Sequence, residues 1–175
     1  MLLGDLKGTT SYFGYDSDVW NSTLVDKIES LHSCFCRTFL EFLPISRSMV
    51  GYTFSDSVLV RWNDYTEGKR VAIAFATRFW EQIEETDLQM RVYVDEGIPV
   101  PERSSLGPAI ESATGRLHQV FPVSTAVWSV FLAENSHFPN GIFIGSKLAT
   151  EIKSFSYNTV DNSFKAGPFE FFRLP

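Results

Sequence analysis

A short apolar segment with a single acid, LLGDL, occupies residues 2–6, and the turn-like sequence KGTT follows at residues 7–10. Apolar runs of this length that end in small and polar residues are typical of buried strands. The segment therefore predicts a strand that leads into a turn, with Asp5 at or near the end of the strand.

A long amphipathic helix is predicted next, because Asn21 or Ser22 can cap its start and Pro44 stops it. The apolar positions of this helix recur three or four residues apart, at Leu24, Ile28, Leu31, Phe35, Phe39 and Phe42. Such spacing places them on one face, so we expect that face to lie against a sheet.

Two strands are predicted after this helix, at residues 47–53 and 58–62, with Asp56 at the tip of the hairpin between them. A second amphipathic helix is predicted from about residue 69 to 85, and a strand at residues 89–94. The resulting order, βαββαβ, is that of a ferredoxin-like α+β fold, in which an antiparallel sheet carries both helices on one face. The other face then needs a cover of its own.

The remaining third of the chain contains shorter predicted elements and no repeat. They are a loop at residues 98–106, a helix from near Gly107-Pro108, a helical stretch at 126–133, a strand at 142–144, a short helix at 146–152 and a final hairpin of residues 155–165 and 169–174. A length of 175 residues suits one hydrophobic core, so residues 1–175 are predicted to form a single domain.

Composition excludes several classes of protein. With 44% hydrophobic and 21% charged residues the chain is expected to fold rather than to be disordered, collagen-like or a coiled coil. The net charge of −6 and the lack of a long basic run argue against a nucleic-acid partner. The start, MLLGD, does not resemble an export signal, and no apolar run approaches the roughly 20 residues of a membrane span. We therefore expect a cytoplasmic protein that does not bind membranes.

Asp5 and Asp56 are the candidate metal ligands, because each lies where an apolar strand meets a turn of small residues. We expect them to meet in space, on the assumption that the first strand lies beside the strand that follows the first helix. Few, hard oxygen ligands suit Mg²⁺ or Mn²⁺, which accept their remaining ligands from water and substrate phosphates. The turn at Gly8, Thr9 and Thr10 would offer backbone N–H groups to phosphate oxygens. On the residues alone, two unrelated solvated turn acids remain the alternative.

Five motifs in the same order resemble those of the class III nucleotidyl cyclases. Residues 5–10, DLKGTT, resemble the family's Asp-Ile-x-Gly-Phe-Thr turn, and residues 54–60, FSDSVLV, resemble its Gly-Asp hairpin. Residues 90–97 resemble its Leu-Arg-x-Gly-Ile strand, residues 107–113 its Gly-x-x-Val-Asn-x-Ala helix start, and residues 164–167 its Lys-Gly turn. Each motif is degenerate, so the resemblance depends on their order along nearly the whole chain.

This resemblance implies a reaction in which the 3′-hydroxyl of a nucleoside triphosphate attacks its own α-phosphorus and expels pyrophosphate. It also implies two divalent ions, Mg²⁺ or Mn²⁺, held by Asp5, Asp56 and the backbone carbonyl of Leu6. Family members are head-to-tail homodimers whose sites lie at the subunit interface. A second subunit would therefore cover the open face of the sheet.

The resemblance also assigns substrate-binding and catalytic positions, several of which depart from the family pattern. Tyr52 stands where the family has a base-selecting lysine, Ser104 near its second base-reading acid and Glu111 at its transition-state asparagine. Arg116 lies about one residue from the register of the transition-state arginine. Arg91 and Lys165 are further candidates for substrate contact, and for each of these positions a purely structural role is the alternative.

These departures, with the compact length, resemble the pyrimidine cyclases of the bacterial anti-phage systems named Pycsar. The implied product is cyclic UMP or cyclic CMP, of which we favour cyclic UMP, and the implied indirect partner is an effector protein that senses it. Two alternatives stay open: a catalytically inactive relative that binds a nucleotide or a partner, and a purine cyclase acting on ATP or GTP. An extra carboxylate at Glu111 favours the inactive alternative, because it would repel developing negative charge.

Overall fold

The structure, a computed structural model, describes residues 1–7, 9, 22–97, 125–151 and 163–174, and the backbone of residues 109–112 and 115–118. Its elements are β1 (Leu2–Leu6), α1 (Ser22–Phe42), β2 (Met49–Phe54), β3 (Ser57–Trp62), α2 (Tyr65–Glu84), β4 (Met90–Val94), β5 (Ala109–Ser112), β6 (Gly115–His118), α3 (Thr125–Glu134), β7 (Gly141–Gly145), α4 (Ser146–Glu151), β8 (Ser163–Ala166) and β9 (Phe169–Arg173). The first six confirm the predicted βαββαβ order.

The main sheet has seven strands in the order β2-β3-β1-β4-β7-β9-β8, and all neighbours are antiparallel except β4 and β7. β1 lies between β3 and β4, so the expectation that β1 adjoins the strand after the first helix is wrong. β2 and β3 form a tight hairpin, and it is the second strand of that hairpin that lies beside β1. The register pairs Asp5 with Ser57, which still brings Asp5 next to the hairpin turn.

α1 and α2 both pack on one face of this sheet, as predicted. The fully buried Phe75 and Phe79 of α2 pack with Phe35 of α1 over the β1, β3 and β4 side chains that point to this face. Gly4 permits the close approach, because a Cβ there would lie 3.1 Å from Phe79 Cε1 and 2.9 Å from Met90 Cε. Each buried aromatic of this kind contributes about 1.5–3 kcal/mol through removal of apolar surface from water.

α3 packs on the opposite face and covers part of the surface for which a separate cover was expected. Val130 and Ala133 of this helix belong to a cluster with Leu3, Tyr93 and Phe143, which alternate with the residues of the first face. Helices therefore lie on both faces of the sheet, although the two helices of the ferredoxin-like core share one. The C-terminal end of α3 comes to the same end of the sheet as Asp5.

α2 begins at Tyr65, four residues before the predicted start, because Asp64 caps it. The Asp64 side chain accepts a hydrogen bond of 2.8 Å from the backbone N–H of Glu67, which satisfies one of the unpaired donors at the helix start. The predicted helix at 126–133, strand at 142–144 and short helix at 146–152 are found as α3, β7 and α4. The last hairpin is found as β8 and β9, and the predicted part before residue 163 lies outside the described residues.

The prediction of a helix from Gly107-Pro108 is wrong for the residues that the structure describes there. β5 and β6 form a separate antiparallel pair in which Ile110 lies opposite Leu117. Glycine at position 115 disfavours a continuous helix through this segment, since it costs about 1 kcal/mol relative to alanine. The resemblance of residues 107–113 to a helix start of the cyclase family is therefore not supported.

No helix in the described ranges is both long and apolar enough to cross a bilayer.

Candidate active site

Asp5 is an almost fully buried acid that is held by an arginine. Its side chain is 6% exposed and that of Arg91 is 12% exposed, and Arg91 Nη2 lies 2.5 Å from Asp5 Oδ2. Ser57 Oγ donates to Oδ1 of the same carboxylate over 3.3 Å. All three residues are fixed by strand register, because Asp5 on β1 lies directly opposite Ser57 on β3 and Arg91 on β4.

Asp56 is the second residue of the two-residue turn between β2 and β3. Ser55, the first, has a φ of 50°, a backbone conformation that glycine adopts more readily. Three contacts hold the turn in place. Leu6 N–H donates to the Asp56 carbonyl over 3.0 Å, Thr9 Oγ1 donates to Asp56 Oδ2, and a His32 ring nitrogen lies 2.9 Å from the Ser55 carbonyl. The end of β1 and this turn therefore form one unit.

The two aspartates line one open cavity of ≈ 700 Å³. It is also lined by Leu6, Lys7, Thr9 and Arg91, and by residues 134–139, which are the end of α3 and the loop after it. Two acids that are remote in sequence thus share a single space, large enough for a polar ligand of ordinary metabolite size.

Arg91 links the strands to the end of α3. Its Nη1 donates to the backbone carbonyl of Ser136 over 2.8 Å, while Nη2 pairs with Asp5. The buried Nε of Arg91 has no hydrogen-bond partner among the described residues. The guanidinium therefore keeps one unused donor inside the cavity wall.

The protonation of two acids in this cavity is shifted by their surroundings. Burial raises the pKa of Asp5 and Asp56 adds to this shift, although the Arg91 charge and the hydrogen bonds from Arg91 and Ser57 oppose it. Burial raises the pKa of Glu134, at the end of α3, to about 7, and the negative charges of Asp5 and Asp56 act in the same direction. Excess negative charge is thus concentrated at this end of the sheet, which favours a cationic ligand.

Glu134→Gln is expected to stabilise the free chain at about pH 8 by roughly 1 kcal/mol, after allowance for solvent screening of a half-buried group. The folded-state pKa of about 7 lies above the unfolded value, so wild-type stability falls as the pH rises toward and through 7. Glutamine stays neutral and avoids this loss. Urea denaturation of both proteins at about pH 5 and pH 8 checks this prediction. A gain in unfolding free energy of equal size at the two pH values would mean that ionisation of Glu134 does not cause the stabilisation.

The acids present suit a hard divalent cation that is shared with a substrate. Asp5, Asp56 and the Leu6 carbonyl offer oxygen donors, and no donor among the described residues occupies Oδ1 of Asp56. No three His, Cys, Asp or Glu side chains in the described ranges form a complete cage for a metal ion. The set therefore fits Mg²⁺ or Mn²⁺, which need few protein ligands, and does not fit a structural zinc ion.

Several residues predicted for the site are not among those that line this cavity. Tyr52 lies on β2, where its ring packs beside the α3-side cluster and the Arg61 guanidinium carbon lies 5.9 Å from the ring centroid. Lys165 is exposed on β8, opposite Glu170. Within one chain, neither meets the two aspartates.

Glu111 and Arg116 are cross-strand partners in the β5–β6 pair, for which the structure gives the backbone alone. Gly8, Thr10 and Ser104 lie outside the described residues. Their predicted roles stay predictions.

Sequence reasoning missed Glu134 and the Arg91–Asp5 ion pair. The helix that carries Glu134 was predicted to end at residue 133, and no periodicity indicates against which strand a helix packs. Strand register supplies the missing signal, because Arg91 lies directly opposite Asp5 once β1 and β4 are paired.

A second cavity, of ≈ 410 Å³, lies at the opposite end of β1 beside Asp95 and Glu96. Its acids already have partners. Ser129 Oγ and the Glu96 backbone N–H donate to Asp95, while Lys147 and the Tyr65 hydroxyl contact Glu96. We therefore place the candidate site at the first cavity, where Asp56 keeps one oxygen unused and Glu134 has no hydrogen bond or ion pair among the described residues.

No protein-family model and no curated protein matches this chain in sequence. Among solved structures, the guanylyl cyclase Cya2 is similar with a TM-score of 0.61 and 12% identity over 98% of this chain and 88% of that one. The adenylyl cyclase CyaB from P. aeruginosa is similar with a TM-score of 0.61 and 10% identity over 99% of this chain and 92% of that one. At such identities the likeness concerns architecture, and the chain has the α+β fold of these adenylyl and guanylyl cyclase structures.

Proposed function

We propose that this chain is a nucleotidyl cyclase that converts a nucleoside triphosphate to its 3′,5′-cyclic monophosphate and pyrophosphate. The observation that carries the proposal is the shared cavity of Asp5 and Asp56, at matching motifs of a chain with a cyclase fold. The 3′-oxygen forms a bond to the α-phosphorus, the bond to the bridging oxygen breaks, and the hydroxyl proton leaves to solvent. This reaction needs positioning and charge neutralisation more than a side-chain nucleophile.

Asp5, Asp56 and the Leu6 carbonyl would hold two divalent ions, Mg²⁺ or Mn²⁺. When bound, such ions lower the pKa of the 3′-hydroxyl and offset the charge of the phosphates. Thr9 and Ser57 hold the two carboxylates in position by donating hydrogen bonds. Arg91 supplies a positive charge at the cavity wall, where a triphosphate would lie.

A pyrimidine substrate, UTP before CTP, is the finer part of the proposal, and it rests on Tyr52 in place of the base-selecting lysine. A phenol ring can stack on a base, and its hydroxyl can bond a pyrimidine carbonyl. The resemblance to Pycsar cyclases further implies that the product activates a separate effector in defence against phage.

Incubation of the purified chain with ATP, GTP, CTP and UTP in turn, with Mn²⁺, tests the proposal when the products are resolved by chromatography. Cyclic UMP as the main product supports it. Cyclic AMP or cyclic GMP would support the purine alternative. Nucleotide binding without turnover would support an inactive binding module, the alternative that the carboxylate of Glu111 favours.

Tyr52→Lys is expected to lower turnover of the pyrimidine substrate by about tenfold, because an ammonium group on a flexible stem cannot replace the stacking of the phenol ring on the base. Tyr52→Phe keeps the ring and removes the hydroxyl, so it separates stacking from hydrogen bonding. The kcat/KM for each nucleotide is the measurement, with the melting temperature as the control for folding. Unchanged values for all four nucleotides in Tyr52→Lys would remove Tyr52 from the site.

A head-to-tail homodimer is expected, because Tyr52 and Lys165 do not line the aspartate cavity of their own chain. A second subunit can supply them from its own surface, so each site would combine residues of both chains. Sedimentation velocity at several protein concentrations, with activity measured on the same samples, checks the prediction. Full activity in a sample that contains only monomer would contradict the shared site.

A further inference from the structure

Glu134 has no assigned role, yet it lines the same cavity as Asp5 and Asp56. It is the last residue of α3 and half-buried, and no ion pair or hydrogen bond joins it to another residue in the described part of the chain. The attraction of Arg91 acts on it, and the charges of Asp5 and Asp56 oppose its ionisation. An acid without a partner thus lies near an arginine that already has one.

Arg91 is tethered to the segment that carries Glu134. Its Nη1 donates to the Ser136 carbonyl, two residues beyond Glu134, and its buried Nε has no acceptor among the described residues. The guanidinium therefore stays beside the end of α3 whether or not it remains paired with Asp5. It has both the donors and the location to meet a second carboxylate.

A divalent cation on Asp5 would compete directly with Arg91, because Arg91 Nη2 occupies Oδ2 of that carboxylate. Two positive groups on one oxygen repel each other, so the guanidinium has to withdraw. A guanidinium that is only 12% exposed is costly to leave without an acid. Glu134 lines the same cavity and is the acid that can receive the guanidinium.

We propose that Glu134 is a positioning residue that takes over Arg91 when Asp5 binds the cation of the substrate. This inference rests on the proposed function, since it assumes a cation at Asp5. The exchange keeps Arg91 in the cavity wall beside the phosphates, and it frees Oδ2 of Asp5 for ligation while Ser57 still donates to Oδ1. Glu134 thus sets the cost of metal binding without contacting the metal.

A double-mutant cycle on Mn²⁺ affinity tests this proposal, with binding followed by electron paramagnetic resonance in the absence of nucleotide. Glu134→Gln is expected to weaken Mn²⁺ binding about fivefold, because Arg91 then has no alternative to Asp5. In the Arg91→Gln background the competitor is gone, so the same change is expected to alter binding by less than about twofold. Glu134→Asp is expected to restore part of the lost affinity.

Glu29→Gln, the same change at an exposed position of α1, is the matched control and is expected to leave binding unchanged. An equal loss from Glu134→Gln in both backgrounds would overturn the exchange, because Glu134 would then act only as a nearby charge or as a direct ligand. Melting temperatures show whether each variant is folded.

Asp56→Asn separates a failure of the inference from a failure of the proposed function. If the wild-type chain binds no Mn²⁺, or if Asp56→Asn binds it equally well, the metal site fails and the exchange fails with it. If Asp56→Asn loses binding while the Glu134 effect is the same in both backgrounds, the proposed function survives and only the exchange is overturned.

Discussion

Asp56→Asn is expected to lower the formation of cyclic nucleotide by roughly a thousandfold while the chain stays folded. The amide has nearly the size of the carboxylate and still accepts the hydrogen bond from Thr9 Oγ1. The backbone contact from Leu6 N–H to the residue 56 carbonyl does not involve the side chain. What is lost is the negative charge that a divalent ion on a triphosphate requires.

The matched control for this variant is Asp26→Asn, the same change at an exposed position of α1. It is expected to keep full activity and the wild-type melting temperature. Initial rates with saturating nucleotide and Mn²⁺ provide the comparison. Asp56→Asn with more than about a tenth of wild-type activity would show that charge at position 56 is not needed, and the two-aspartate site would have to be abandoned.

Local patterns predicted the core of the fold because its helices and strands have clear periods. Apolar residues at helical spacing gave α1, and Asp56 was predicted at the tip of the β2–β3 hairpin, where the structure has it. The β5–β6 pair was missed because a Gly-Pro start resembled a helix motif, and a four-residue strand has too short a pattern to compete.

Long-range pairing explains both the error in strand order and the residues missed at the site. β1 adjoins β3 rather than β2, and only the hairpin's position in the sheet determines which of its strands lies inside. Asp5 and Asp56 were expected to meet, and they do line one cavity, although through a different strand neighbour. Glu134 was missed because its helix packs on the far face of the sheet, which no local pattern predicts.

The site combines opposite demands on one carboxylate. Asp5 is buried, so it needs a positive partner in the free protein, and Arg91 supplies one. Under the proposed function, the same carboxylate also has to be available to a cation when substrate binds. If Arg91 has to leave Asp5, an arrangement that satisfies every donor of Arg91 would oppose the change. The unused Nε of Arg91 and the unpaired Glu134 are what such a change of partner requires.

Arg91→Ala is expected to lower the free energy of unfolding by about 3 kcal/mol at about pH 8, because it leaves a buried carboxylate without its counterion. It also removes the hydrogen bond to the Ser136 carbonyl, which fixes the loop after α3. Arg78→Ala is the matched control. Arg78 pairs with Glu41 and Glu81, but its side chain is 41% exposed, so its loss is expected to cost much less than the loss of Arg91.

The loss of unfolding free energy in Arg91→Ala is expected to be smaller at lower pH, because Asp5 becomes protonated there. Burial already raises the pKa of Asp5, and removal of Arg91 takes away the charge and the hydrogen bond that oppose this shift. The variant therefore loses stability as the pH rises from the unfolded pKa through the higher folded pKa of Asp5. Urea denaturation at about pH 5 and pH 8 measures the difference. Because Asp5→Asn removes the buried charge, adding it to Arg91→Ala should recover part of the loss at pH 8, and a further loss of stability would show that Arg91 acts through packing alone.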